Sequence, residues 1–324
     1  MRKSSKLIFL FLIFAAAACL IPGSRQAVSE TVPQSYQFNG SETSETQQIE
    51  PGQASNRTRA EQVMRALAEA YPRQIERVEF RSGDWAILLR GTWYYYADGK
   101  MLPENLLANA ADYTPHPFYN YPAELPAWIT PNAEENARLR EMSNNRNRNP
   151  PRRSPHFFDD LWRVHNRAES YDRVKTIRLL GKSAMVHFMI LENLSIIEEQ
   201  ITAAAASDPQ VMAWKNSLSS LEGWSWRNIA ETQSRSYHSY GLAVDLLPGS
   251  LGGKETYWLW AMNRRADWWN ISYNERFHPP QKVIKIFETY GFIWGGKWLF
   301  FDTMHFEYRP EILVLNGMPP ETRR

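Results

Sequence analysis

Two short stretches near the C-terminus contain side chains that a zinc ion accepts as ligands. His238 and Asp245 lie in the first stretch, residues 236–245, and His305 lies in the second, residues 302–308. A catalytic zinc ion has three protein ligands and keeps its fourth position open for water, whereas a structural site is usually closed by four. Two imidazoles and one carboxylate therefore predict a catalytic, hydrolytic zinc site.

Two further carboxylates flank His305. Asp302 precedes it by three residues, close enough to reach a zinc-bound water and take its proton as a general base. Glu307 follows it by two residues, so on a strand both side chains point to the same face. This spacing predicts that Glu307 accepts a hydrogen bond from an imidazole and so orients it. The alternative is that Glu307 is a purely structural carboxylate.

The elements that must position these residues follow from the local pattern. His238 is predicted to end one segment, Gly241 to form a turn, and Asp245 to lie on the strand that follows. Glycine at 241 permits a positive φ or a close approach of the backbone. The other histidines lack such neighbours and are predicted to be structural: His116, His156, His165, His187 and His278.

The rest of the C-terminal half alternates helical and extended patterns. Strands are predicted at 174–180, 298–301 and 304–308, and helices at 186–204, 209–221 and 283–290. Strands after a helical half indicate an α+β fold, in which helices pack on one face of an antiparallel sheet that carries a single zinc site. A small N-terminal module precedes it, with a helix at 60–70 and strands at 78–80, 85–89 and 92–96.

The domain organisation is predicted from changes in composition. Residues 1–22 have the basic start and the short apolar run of a signal peptide, and residues 23–58 are polar enough to be a flexible tether. The accessory module spans 59–108, a connector rich in Pro, Asn and Arg spans 109–158 with one helix at 131–142, and the catalytic domain spans 159–324. Export to the periplasm or cell envelope is expected.

The single cysteine, Cys19, ends the segment Ala-Ala-Ala-Cys, which looks like a bacterial lipobox with Ala in place of the usual Leu. Lipidation of Cys19 would tether the protein to an envelope membrane. The alternative is ordinary signal cleavage a few residues further on, with Cys19 discarded. Both alternatives remain open at this stage.

Composition excludes some classes of function. A formal net charge of +2 gives no strong preference for nucleic acid, and no glycine-rich phosphate loop is present. The 13 tryptophans are many for this length, and several of them lie in residues 248–280. This insert is expected to be either a lid that stacks on glycan or covers peptide, or an additional packed layer.

The pattern S-x-H-x-x-G-x-A-x-D followed by D-x-x-H-x-E resembles the zinc D-alanyl-D-alanine carboxypeptidases and the related L-alanyl-D-glutamate peptidases of bacteria and phage. The resemblance covers about residues 219–311. It implies that His238, Asp245 and His305 bind zinc and that Asp302 is the general base. The family also holds its substrate with an arginine upstream of the first ligand.

For that arginine the sequence offers Arg227, with Arg235 as the competing candidate, and Ser236 is expected to bind near the substrate or behind the ligands. A guanidinium suits a peptide carboxylate because it can donate two parallel hydrogen bonds. The implied function is zinc-dependent cleavage of peptidoglycan stem peptides, as a carboxypeptidase or as an endopeptidase. A non-catalytic zinc-containing envelope binding protein and a peptidase for other exported D-amino-acid peptides are the alternatives.

Overall fold

The computed structural model describes the backbone of residues 51–321 and the side chains of residues 57–321. The predicted signal peptide, Cys19 and the tether up to residue 50 lie outside the described residues. Within the described part of the chain, no helix is both long and apolar enough to cross a membrane. The described residues belong to one compact unit.

The N-terminal part is a helix packed on a small sheet. Helix α1 (Pro51–Ala70) places Val63 and Leu67 on its buried face at helical spacing. It is followed by a four-stranded antiparallel sheet in sequence order: β1 (Ile75–Arg81), β2 (Asp84–Leu89), β3 (Thr92–Tyr95) and β4 (Leu102–Pro103). Val63 of α1 and Ile87 of this sheet belong to the same core cluster as Val244 and Phe306 of the C-terminal part.

The C-terminal part is built on a second antiparallel sheet and a hairpin. The sheet has the order β7–β8–β10–β9, with the bounds β7 (Leu218–Glu222), β8 (Ala243–Pro248), β9 (Phe292–Trp294) and β10 (His305–Tyr308). Strands β5 (Val174–Leu179) and β6 (Lys182–His187) form a separate hairpin. The predicted α+β class with antiparallel sheets is confirmed.

Helices surround these strands. They are α2 (Ala133–Arg148), α3 (His156–Trp162), α4 (Arg167–Arg173), α5 (Leu191–Ser207), α6 (Pro209–Ser217), α7 (Tyr237–Tyr240), α8 (Trp258–Met262), α9 (Gln281–Thr289) and α10 (Pro310–Leu315). Helix α9 packs beside β9, and α10 packs against α1. The N-terminal helix therefore shares an interface with the last helix of the C-terminal part.

The tryptophan-rich insert forms a core of its own. Trp258, Trp268 and Trp269 are buried together with Phe301, and Leu139 of α2 packs against them. Trp260 is the exception, because 44% of it is exposed. The insert is thus mainly a packed layer, and the helix of the predicted connector supports it.

Several predicted boundaries are wrong. Helix α1 begins at Pro51 rather than at residue 60, within the segment predicted as tether; its first turns carry no apolar period, and proline is tolerated in a first turn. Helix α2 continues to Arg148, beyond the end predicted at residue 142. Strand β6 overlaps the start of the helix predicted at 186–204, and strand β7 overlaps the end of the helix predicted at 209–221.

The strand predicted at 298–301 does not form. After the turn Gly295–Lys297, this run contributes side chains to two different cores. Trp298 packs against the cluster around Ile293, whereas Phe301 belongs to the insert's core. A continuous apolar run predicts burial but not the direction of each side chain, which is why periodicity misjudged it.

Candidate metal centre

His238 is positioned by a very short helix and a tight turn. Ser236 caps helix α7, its hydroxyl accepting a hydrogen bond from the His238 backbone N–H at 3.3 Å. The helix ends at Gly241, which has φ +71°. A Cβ there would lie 2.6 Å from Val174 Cγ1 and 2.8 Å from the His187 nitrogen, so only glycine fits. The turn predicted at Gly241 is therefore confirmed.

Asp245 and His305 face each other across two antiparallel strands. Strand β8 follows the Gly241 turn and pairs with β10 in a register that sets His305 opposite Asp245. Residues opposite each other in such a pair have Cβ atoms about 5 Å apart on the same face of the sheet. The register of the sheet thus brings residues that are distant in sequence into contact.

The three predicted ligands meet in one cluster. His238 Nε2 lies 3.2 Å from His305 Nδ1 and 3.2 Å from an Asp245 carboxylate oxygen. His305 Nδ1 lies 2.8 Å from the other Asp245 oxygen. The atoms that each residue offers to a metal all lie within 4.8 Å of one another.

The outward-facing nitrogen of each imidazole already has an acceptor. His238 Nδ1 lies 2.6 Å from the carbonyl oxygen of Gly223, and His305 Nε2 lies 3.1 Å from the Glu307 carboxylate. Because a carbonyl oxygen can only accept, His238 donates from Nδ1, and its Nε2 atom faces the cluster. Imidazoles that bind metals are held in this way. The donor set of two imidazole nitrogens and one carboxylate fits a zinc ion.

The charges in the cluster depend strongly on one another. Burial alone would raise the pKa of Asp245, but the charges and hydrogen bonds of His238 and His305 outweigh it, and the pKa is strongly lowered. For His305, burial opposes protonation, yet the hydrogen bonds to Asp245 and Glu307 raise its pKa to about 10. The site is therefore one in which a positive charge is stabilised.

Glu307 is buried behind His305. Burial would raise its pKa, but the hydrogen bond and charge of His305, together with the charge of Arg309, lower it. An ionised Glu307 can accept the Nε2–H of His305 with one oxygen and a hydrogen bond from Arg309 with the other. This is the contact that the spacing of the two residues on one strand predicted.

Asp302 lies beside the cluster without being part of it. Burial, followed by the negative charge of Asp245, raises the pKa of Asp302 to about 7. Its backbone N–H donates to the Gly295 carbonyl at 3.1 Å, and a Cβ on Gly295 would lie 2.5 Å from the Asp302 carbonyl oxygen. Its Oδ1 atom is buried and has no hydrogen-bond partner among the described residues. A water molecule at the cluster would find an available acceptor here.

The two candidate arginines differ sharply. Arg235 forms an ion pair with the buried carboxylate of Asp159, donates to the Val164 carbonyl at 3.2 Å and stacks over Trp226. Arg227 is exposed, and its positive charge acts to lower the pKa of the Tyr257 hydroxyl. Of the two, Arg227 is the exposed arginine, whereas Arg235 is half-buried.

Ser236 is 4% exposed, and the contact that the structure shows for its hydroxyl is the cap on His238. It therefore acts on the site through the backbone of His238, a candidate ligand. Its predicted binding of substrate stays a prediction.

Sequence reasoning missed Tyr257, which lines the site. Its backbone forms an antiparallel bridge with Asp302, so the two side chains project to the same face. Burial, followed by the charge of Asp302, raises the pKa of Tyr257 to about 12. The bridge joins two segments distant in sequence, and no local pattern signals it.

Gly223 was also missed, although it accepts the hydrogen bond of His238. A Cβ on Gly223 would lie 2.2 Å from the Met185 carbonyl oxygen, so the approach of these two backbones requires glycine. Trp298 was assigned to a strand but has its ring 5.5 Å from that of His305. In both cases the contact depends on tertiary packing alone.

Comparison with known families agrees with this geometry. Residues 230–308 match a family model described as D-alanyl-D-alanine carboxypeptidase, a segment that contains the His238, Asp245 and His305 cluster together with Asp302. Residues 63–118 match a family described as a domain of unknown function, DUF8518. No curated protein and no solved structure matched the chain. The first match supports a peptidase of the D-alanyl-D-alanine carboxypeptidase-like family.

Proposed function

We propose that the protein is a zinc-dependent peptidase that hydrolyses peptidoglycan stem peptides, in the manner of a D-alanyl-D-alanine carboxypeptidase. The observation that carries the proposal is the arrangement of the cluster. Two imidazole nitrogens and one carboxylate converge, the far nitrogen of each imidazole has an acceptor, and Asp302 lies beside them. The family match over residues 230–308 supports the same class of reaction.

His238, Asp245 and His305 would hold the zinc ion. Bound there, zinc would lower the pKa of a water molecule and polarise the carbonyl of the scissile bond. The protein supplies the rest. Gly223 and Glu307 fix the orientation of the two imidazoles, and the register of β8 and β10 fixes the carboxylate between them.

Asp302 is proposed as the general base. Its free Oδ1 atom can take a proton from the attacking water and later deliver it to the leaving amine. A pKa raised to about 7 means that the carboxyl group can be present in both protonation states near neutral pH. A cation in the cluster would lower that pKa, because a positive charge nearby favours the carboxylate.

Arg227 is proposed to bind the negatively charged part of the substrate. Arg227 is exposed and its positive charge acts on Tyr257, whereas Arg235 is already paired with Asp159. A guanidinium can hold a terminal carboxylate with two parallel hydrogen bonds, which would place the adjacent peptide bond at a fixed distance from it.

The test is hydrolysis of purified muropeptides by the purified protein, stripped of metal and then reloaded with zinc. Mass spectrometry of the products separates the alternatives. Zinc-dependent loss of a terminal alanine identifies a carboxypeptidase, and an internal cut identifies an endopeptidase. Asp302→Asn is the matched control, because it preserves the ligands and removes the proposed base. Stoichiometric zinc binding without any cleavage would overturn the catalytic proposal in favour of a binding protein.

The proposed place of action is the cell envelope. Support comes from the sequence of residues 1–22, a basic start followed by a short apolar run. Peptidoglycan lies outside the cytoplasmic membrane, so its peptidase requires export. Whether Cys19 carries a lipid is tested by metabolic labelling with a fatty acid in wild type and in Cys19→Ala.

A further inference from the structure

We infer that the N-terminal module takes part in the metal centre, through a buried chain of hydrogen bonds that runs from Tyr71 to the ligand His305. The chain consists of Tyr71, Glu311, Arg309 and Glu307. Tyr71 follows α1 directly and falls within the segment that matches the domain of unknown function. In this role Tyr71 is a positioning residue. The inference rests on the proposed function, because it assumes that His305 binds a metal.

Each link of the chain is a direct contact. The hydroxyl of Tyr71 donates to Glu311 Oε2 at 2.5 Å. The other oxygen of Glu311 accepts from Arg309 Nε. Arg309 then donates from a second nitrogen to Glu307 Oε1 at 3.3 Å, and Glu307 Oε2 lies 3.1 Å from His305 Nε2.

The chain is almost completely excluded from water. Arg309 and Glu311 are each 1% exposed, Tyr71 is 2% exposed and Glu307 is 8% exposed. Removing charged groups from water costs several kcal/mol per ion, and a buried pair recovers this only when its geometry and remaining hydrogen bonds are good. Apolar residues of the same volume could fill this space at less cost. A buried ionic chain that leads to the ligand is better explained by control of that ligand.

The chain can control the ligand because the two oxygens of Glu307 have different partners. Arg309 holds one oxygen, and this leaves the other aimed at His305. Arg309 is itself held from two sides, by the Glu311 carboxylate and by the ring of Tyr237, whose centroid is 4.9 Å from the guanidinium carbon. A shift of Glu311 would therefore move Arg309 and change the direction of the Glu307 carboxylate.

Tyr71 is rigid enough to fix the far end of the chain. Its backbone N–H donates to the Leu67 carbonyl at 2.9 Å, which continues the hydrogen bonding of α1. Its ring packs edge-on against Trp162 with a centroid distance of 5.2 Å. The pairing of α1 with α10 holds both ends of the Tyr71–Glu311 contact. The N-terminal module is thus built into the support of the ligand.

The test compares two variants that each remove one buried hydroxyl from the module. Tyr71→Phe breaks the chain at its far end. Tyr94→Phe is the matched control: Tyr94 is 3% exposed and also donates to a carboxylate, that of Asp160, but Asp160 is bonded to His165 and not to the cluster. Glu307→Gln serves as the reference for a change in direct contact with the ligand. Zinc affinity is measured by competition with a chelator, and the ligand field is followed by the absorption spectrum of the cobalt-substituted protein.

The expected result is a graded loss of zinc affinity along the chain. Glu307→Gln should lose roughly 10- to 100-fold, as is usual for groups that orient a metal ligand. Tyr71→Phe should lose less than Glu307→Gln but clearly more than Tyr94→Phe, and it should alter the cobalt spectrum, whereas Tyr94→Phe should not. A merely structural role would lower the stability of both tyrosine variants and leave the spectrum unchanged.

Two results would count against the inference, and they have different meanings. If the wild type binds zinc and cleaves its substrate while Tyr71→Phe matches Tyr94→Phe in affinity and spectrum, the buried chain has no role and the proposed function stands. If the wild type does not bind zinc at all, the proposed function itself fails, and the inference fails with it.

Discussion

His305 is buried and His116 is half-buried, and their surroundings favour different protonation states of the two imidazoles. His305 lies between the carboxylates of Asp245 and Glu307, and its pKa is raised to about 10 despite burial. His116 lies against the ring of Phe158 and donates to the Ser154 carbonyl, and burial, followed by the charges of Arg153 and Arg309, lowers its pKa to about 3.

The difference shows what separates a candidate metal ligand from a histidine outside the cluster in this protein. Around His305 the two ring nitrogens each contact a carboxylate, and this negative charge favours a cation. Around His116 the neighbouring charges are positive, so a cation would be repelled and the imidazole remains neutral. The two sites share the residue type, and the carboxylates beside His305 make the distinction.

The largest expected effect comes from removing a ligand. His238→Ala and His305→Ala should each abolish tight zinc binding and cleavage, because two protein ligands cannot hold the ion as three do. Metal content after dialysis and hydrolysis of muropeptides measure this. His116→Gln is the control, because His116 lies outside the cluster, and this variant should retain both zinc binding and activity. Full activity in either alanine variant would sink the proposed metal centre.

The next effect in size concerns Asp302, the carboxylate that stays outside the cluster. Asp302→Asn should bind zinc as the wild type does and lose about 10²- to 10⁴-fold in kcat, the usual contribution of a general base. The zinc stoichiometry and a kcat measurement on the same preparation separate binding from rate. Unchanged turnover would remove Asp302 from the mechanism, and loss of zinc would make it a ligand.

The sequence identified the residues of the cluster but not what holds them. His238, Gly241, Asp245, His305 and Glu307 were found because a short turn and two strands impose local spacings that can be recognised in the sequence. In the structure Gly241 has the positive φ that the spacing required, and His305 stands opposite Asp245. The α+β class was predicted from the order of helical and extended patterns along the chain.

The supporting contacts could not have been predicted, since they depend on residues far apart in the chain. Tyr71 and Glu311 meet only because α1 packs against α10, and Gly223 accepts from His238 only because two backbones approach closely. Hydrophobic periodicity reports which face of an element is buried, but not against which element it packs. The strand predicted at 298–301 was wrong for the same reason, because its apolar residues pack against two different clusters.

The comparison extends from histidines to the two candidate arginines. Arg227→Ala should raise KM about 10- to 100-fold, the worth of a charge-assisted hydrogen bond, and leave stability unchanged because the side chain is exposed.

Arg235→Ala should instead lower the free energy of unfolding by about 3 kcal/mol or more, because it leaves the buried Asp159 carboxylate without its ion-pair partner. Kinetics and denaturant unfolding on both variants test the pair. The reverse pattern would make Arg235 the substrate-binding residue.

The smallest expected effect is the dependence of stability on pH that His116 imposes. The folded protein keeps His116 neutral down to about pH 3, whereas the unfolded chain takes up a proton near the ordinary pKa. Its contribution is therefore fully present above about pH 6.5 and is lost as the pH falls, by about 2 kcal/mol at pH 5. In His116→Gln the amide can still donate to the Ser154 carbonyl but does not titrate, so the free energy of unfolding should fall less between pH 7.5 and pH 5 than in the wild type. Equal slopes for the two proteins would mean that folding does not lower the pKa of His116, and the contrast with His305 would then be lost.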